Sequence, residues 1–157
     1  MSTPETFMRR AIALSDQHMR ANDGGPFGAV IALDGTIVGE GWNQVTSTND
    51  PTAHAEVVAI RDACRRLGRF HLQGAVLYTS CEPCPMCLSA AYWARVDRIV
   101  FANDRKDAAA IDFSDDDIYR EVALPLEART IAMERMLAGE AKAVFDAWAA
   151  KSDKTPY

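Results

Sequence analysis

The sequence predicts an α/β domain in which helices cover a mixed β-sheet, and three features of the chain point there. Two apolar runs, 27–33 and 37–42, flank Asp34-Gly35, the kind of dipeptide that closes tight hairpins. Further on, short apolar strands at 75–79 and 98–102 alternate with helical patterns at 53–67 and 84–94, the rhythm of strand–helix–strand units. The length of 157 residues suits one domain. Such a chain buries roughly 70% of its unfolded surface, so it needs no disulfide or metal merely to fold.

Taken in order, Phe7, Ala11 and Leu14, with Met8, Ile12 and Met19 beside them, recur at helical spacing and predict a helix over 4–21. Ser2-Thr3-Pro4-Glu5 has capping-box spacing with proline in the first turn, and Asn22-Asp23-Gly24-Gly25-Pro26 stops the helix. After the hairpin, residues 44–52 read as a polar loop. The helix over 53–67 carries Val57, Ile60, Cys64 and Leu67 on one face and is closed by Gly68. Residues 112–117 supply caps for a short helix over 118–123. A last strand is expected at 130–136 and a last helix at 141–151. No repeat or linker divides the chain, so a single domain over 1–157 is expected.

Composition narrows the function. No run of about 18 apolar residues exists, so no transmembrane helix is expected. The N-terminus breaks its apolar residues with charges and lacks a signal-peptide core, which makes a cytoplasmic location the expectation. Seventeen basic against twenty-two acidic residues give a net charge of −5. Nucleic-acid binders favour the opposite balance, because phosphate contacts need clustered Lys and Arg. A small-molecule substrate fits better.

Three of the four cysteines, Cys81, Cys84 and Cys87, crowd into TSCEPCPMC, which reads as metal or redox chemistry rather than a disulfide framework. On a helix starting near Pro83, Cys84 and Cys87 share one face, and the first-turn N–H groups favour thiolates there. A lone CxxC leaves zinc, redox and packing all open. His54 decides for zinc, since H-A-E followed later by P-C-x-x-C is a zinc deaminase signature. That pattern takes His54, Cys84 and Cys87 as ligands and leaves a fourth position open. Cys81 falls outside the helix and reads as a buried or lining thiol. An iron–sulfur motif would need another cysteine where Ala91 stands. Glu56 is not needed as a ligand, so it can shuttle protons, while zinc brings the pKa of bound water toward about 7.

The segments GGPFGAV (24–30), EGWNQV (40–45), STNDPTAHAE (47–56), LYTSCEPCPMCL (77–88) and AYWAR (91–95) carry a family likeness. The chain resembles the bacterial guanine deaminase branch of the cytidine deaminase superfamily. The resemblance implies a three-layer α/β/α fold with a central mixed sheet and one catalytic Zn2+ per subunit. It implies hydrolysis of guanine to xanthine by zinc-bound hydroxide. It also implies a homodimer in which the C-terminal segments, about 130–157, exchange. Carried onto this chain, Asn43 hydrogen-bonds the purine, Phe27 and His54 contact its faces, and Trp93 lines the pocket. Asp115 and Tyr157, the latter supplied by the other subunit, close over the substrate and assist proton transfer. The acidic run FSDDD leaves Asp115 and Asp116 as alternative registers, and EAKAVFDAWAAK matches the branch only loosely.

Three competitors are distinguishable. Related chemistry on cytosine-like or aminotriazine rings such as ammeline would keep the same metal site. A tRNA adenosine deaminase shares H-A-E and P-C-x-x-C but needs a basic cradle for a flipped base. A non-catalytic zinc module would need Cys81 or another side chain to close the site, and would leave Glu56 without a purpose.

Overall fold

The predicted hairpin is present. In the computed structural model, which describes residues 3–157, β1 (Gly28–Leu33) and β2 (Thr36–Trp42) run antiparallel. Asp34 (φ 49°) and Gly35 (φ 74°) both take the left-handed conformation that a two-residue turn of this hand requires. β1 also pairs antiparallel with β3 (Val76–Cys81), and β3 pairs parallel with β4 (Arg98–Asn103). The order is β2-β1-β3-β4, a mixed sheet.

Helices cover both faces. α1 (Pro4–Arg20) lies on one, α2 (Val45–Thr48) is a single turn in the polar loop, and α3 (Ala55–Leu67) and α4 (Pro85–Ala94) lie on the other. The period-two alternation of the strands divides the core accordingly. Val30, Ala32 and Tyr78 pack with Phe7, Ala11 and Leu14 of α1. Ala29, Ile31 and Leu77 pack with Ala55, Ala59, Ala63, Ala91 and Ala94.

The buried face of α3 differs from the one its larger residues predict. Its centre is the alanine stripe Ala55, Ala59 and Ala63, with Ile60, Cys64 and Leu67 at its flank. The reason lies in β2. A Cβ on Gly41 would stand 2.2 Å from the Ala55 carbonyl oxygen, and one on Gly39 would stand 2.6 Å from the Ala63 Cβ. Glycine facing alanine brings the helix backbone almost onto the strand. Gly41→Ala should therefore cost about 2–3 kcal/mol through forced separation of helix and sheet, read as a fall in urea midpoint without a change in slope.

Arg10 ties α1 to β2, donating from Nε to Glu40 Oε1 (2.7 Å) and from a terminal nitrogen to Oε2 (2.8 Å). That bond holds the Glu40 carboxyl below its ordinary range. A depressed folded pKa gives stability that is present above the unfolded value of about 4.3 and is lost as pH falls through the folded one. Glu40→Gln should cost under about 1 kcal/mol at pH 7, since both partners are partly solvated. The difference from the parent chain should vanish in urea titrations below the folded pKa.

Several boundaries differ from expectation. The N-cap of α1 is Thr3, whose side chain accepts from the Thr6 N–H in a Thr3–Thr6 capping box; Ser2 lies outside the described residues. α5 (Arg105–Ala109) was not signalled by apolar periodicity and rests on its own capping box, Asp104 with Asp107. α6 (Asp116–Val122) stands close to the predicted short helix.

The chain divides into two units, Met1–Asp116 and Asp117–Tyr157. The second holds a 3-10 turn (Leu126–Ala128) and α7 (Ala138–Ala150). The strand expected at 130–136 does not form. Local bonds take its place: Glu121 accepts from both the N–H and the hydroxyl of Thr130, while Arg129 donates to the carbonyls of Leu124 and Val122. No described helix is long and apolar enough to cross a membrane.

Candidate active site

The sheet places its reactive residues at one end. Because β1 is antiparallel to both neighbours, Gly28 pairs with Trp42 and Ala29 with Thr79. Phe27, Asn43 and the end of β3 at Cys81 therefore meet at a common edge. Past that edge the chain enters α3 through His54 and α4 through Cys84, each the N-cap residue of its helix with extended φ/ψ. Two positive helix ends thus converge, which favours anionic ligands and thiolates.

His54 Nδ1 lies 3.6 Å from Cys84 Sγ and 3.5 Å from Cys87 Sγ, and the three donor atoms all fall within 4.8 Å of one another. Around a tetrahedral zinc, bonds of about 2.3 Å to sulfur and 2.05 Å to nitrogen place those atoms about 3.6 Å apart. One nitrogen and two sulfurs at that separation fit zinc in both chemistry and spacing. Hydrogen bonding from Cys87 and then from His54 brings the Cys84 thiol down to about 4 against the opposing effect of burial. The same bond and burial push Cys87 up.

Cys81 does not join them. Among the described residues the only metal-ligand cluster is His54, Cys84 and Cys87. The Cys81 thiol points instead to the Asp104 carbonyl at 3.8 Å, and burial, with the nearby Glu56, Asp115 and Glu82 charges, pushes it up to about 11. Among the described residues the protein donors therefore number three, one short of a tetrahedral set. Glu56, in the first turn of α3, is 6% exposed and hydrogen-bonds the Cys87 sulfur. Burial is the leading cause that holds its carboxyl above the ordinary range.

Residues 1–103 match the cytidine and deoxycytidylate deaminase zinc-binding region. The chain belongs to this family. The guanine deaminase of Bacillus subtilis is 50% identical over 153 residues, which is 98% of each chain. The crystal structure of a Bacillus subtilis guanine deaminase superposes with a TM-score of 0.96, covering 99% of both chains at 50% identity. A tRNA-specific adenosine deaminase of Aquifex aeolicus is 42% identical over 87 residues, 55% of this chain and 58% of its own. His54, Cys84 and Cys87 are the zinc site of this deaminase.

Other residues of the deaminase are placed around it unevenly. The backbone N–H groups of Gly25 and Val45 both donate to Asn43 Oδ1 at 3.2 Å. That fixes which end of the amide is oxygen and leaves its NH2 as the group Asn43 can offer a ligand. Gly24 lies against Asn43 so closely that a Cβ would stand 2.2 Å from its carbonyl oxygen. The Phe27 ring meets Phe113 edge-on, with centroids 5.0 Å apart. Phe113 escaped the sequence reading; its one signal is an aromatic residue heading an acidic run. Asp115 is half-buried and within electrostatic reach of Cys84, while Asp116 and Asp117 are exposed. Burial is also the leading cause that holds the Asp115 carboxyl above its ordinary range.

Trp93 turns outward within the first unit. Trp93 is 72% exposed on α4, beside Ser89, Tyr92 and Arg95 at a shallow depression. Tyr157 is exposed within the C-terminal unit.

Proposed function

We propose that this deaminase hydrolyses guanine to xanthine and ammonia at the His54–Cys84–Cys87 centre. The observation that carries the reading is an incomplete ligand set, with three protein donors and a buried, unligated Glu56 beside them. Bound there, zinc supplies Lewis acidity that lowers the pKa of a water to about 7. Glu56 takes the proton of the attacking water and gives one to the ring nitrogen next to the amino-bearing carbon. It then takes the remaining proton from the hydroxyl now on the carbon and passes it to the amine as the carbon–nitrogen bond breaks and ammonia leaves. The carbon ends as a carbonyl.

The remaining residues bind and orient the ring. The Asn43 NH2 donates to a purine acceptor, and Phe27 and His54 contact the ring faces. Asp115 accepts from the ring N–H and amino groups of guanine, where adenine offers fewer donors. Half-burial near Cys84 supports Asp115 over Asp116 for this role. The likeness to the guanine deaminase of Bacillus subtilis spans nearly the whole chain, whereas the likeness to the tRNA deaminase spans about half. Net charge of −5 favours a free base over tRNA. Reduced thiolates at the metal suit a cytoplasmic setting.

The active form is a homodimer with exchanged C-terminal segments. In support, α7 has no buried residue, and Ile131, Met136, Val144 and Phe145 stand exposed in the C-terminal unit. Apolar surface on that scale marks an interface. Trp93 and the partner subunit's Tyr157 would then complete the pocket. Removing residues 153–157 should lower guanine turnover at least about tenfold with zinc retained, and equilibrium sedimentation should give twice 17.2 kDa. Untouched activity would remove the exchanged tail from the account.

The reading is tested by following ultraviolet conversion of guanine to xanthine by zinc-loaded protein, with cytosine, ammeline and adenosine-bearing tRNA in parallel. Guanine consumed well above the others is the expected result. Consumption of another substrate alone would keep the hydrolytic chemistry and overturn the assignment of guanine.

A further inference from the structure

His18 and Trp42 stand in no role so far. Their rings stack at 3.7 Å between centroids and 4° between planes. His18 Nδ1–H also donates to Asp23 Oδ2 at 2.6 Å, the proton residing on Nδ1 because a carboxylate can only accept. His18 is thereby tied at once to the end of β2 and to the turn that follows α1.

Each tie ends one residue from a contact that fixes Asn43. Trp42 immediately precedes Asn43, and Asp23 immediately precedes Gly24. Gly24 packs against the Asn43 backbone and amide, and the Gly25 N–H donates to Asn43 Oδ1. Asn22 takes a left-handed conformation (φ 61°), and the turn's backbone bonds run back to the end of α1, from Asn22 to Met19 and from Asp23 to His18.

We propose that His18 is a positioning residue, a cross-brace between Trp42 and Asp23 that holds Gly24-Gly25 on Asn43 and so fixes the direction of the Asn43 amide. The inference rests on the reading of Asn43 as a substrate ligand. Aromatic stacking sets the lateral position of the brace, and the hydrogen bond sets its reach. Because both side chains reach solvent and neither belongs to the buried core clusters or the metal ligands, substitutions at both should leave the fold and the metal site standing.

The test uses zinc-loaded, full-length protein with His18→Ala, Asp23→Ala and Asp23→Asn, each alone and with Asn43→Ala. The alanine variants should raise KM for guanine about five- to tenfold with kcat within about twofold, since they loosen a binding group and touch no reacting atom. Asp23→Asn keeps an acceptor and should behave as the parent. In the Asn43→Ala background the alanine variants should add nothing, because the group they position is gone. Amide exchange at Gly25, read by NMR without substrate, should accelerate about tenfold in His18→Ala as its hydrogen bond to Asn43 loosens. Unchanged Gly25 exchange, or KM effects that add in full to Asn43→Ala, would overturn the brace. Accelerated exchange with Asn43→Ala itself leaving KM unchanged would support the brace and overturn instead the assignment of Asn43 to the substrate.

Discussion

Glu56→Gln should leave one zinc bound per chain and lower guanine turnover by about 10⁴-fold, the upper end of what a single proton-transfer group contributes. The large figure follows from Glu56 acting more than once, on the water, on the ring nitrogen and on the leaving amine. Glutamine matches the shape of the 6%-exposed side chain and can still hydrogen-bond near Cys87, so the fold and the metal site should stand. Turnover within tenfold of the parent would remove Glu56 from the reaction. Loss of zinc along with activity would mean that it supports the metal instead.

The second large effect is expected at the ligands. Structural zinc sites with four ligands bind with about 10–16 kcal/mol, or roughly 2.5–4 kcal/mol per ligand, so Cys87→Ala should weaken zinc about 10²- to 10³-fold and abolish turnover at micromolar metal. Cys84→Ala should do the same. Cys81→Ala is the control, because its sulfur turns toward the Asp104 carbonyl. That variant should keep full zinc occupancy, measured by competition with a chromogenic chelator. Equal zinc loss at Cys81 would give the site a third thiolate and close it.

The metal site was the most legible part of the chain. The ligand types and the order H-A-E then P-C-x-x-C carry the chemistry directly, and both ligand-bearing segments fall at helix starts, where local sequence speaks clearly. The hairpin was legible for a similar reason, since Asp34-Gly35 sets its own turn. The buried face of α3 was not. Ala55, Ala59 and Ala63 are buried because Gly39 and Gly41 on a different element permit close approach, and no periodicity within the helix reports that. The strand expected at 130–136 failed in the same sense. Its apolar residues looked ready to pair, yet side-chain bonds from Glu121 and Arg129 hold the backbone another way. Phe113 and the His18–Trp42 stack depend on contacts between distant segments, so composition could not point to them.

The central claim is that three protein atoms hold the zinc and a fourth position is left for water. X-ray absorption at the zinc edge of the loaded protein counts those atoms directly. The account predicts two sulfurs near 2.3 Å with nitrogen and oxygen at about 2.0–2.1 Å. Three sulfurs would contradict it, because a closed site has no place from which to hydrolyse guanine.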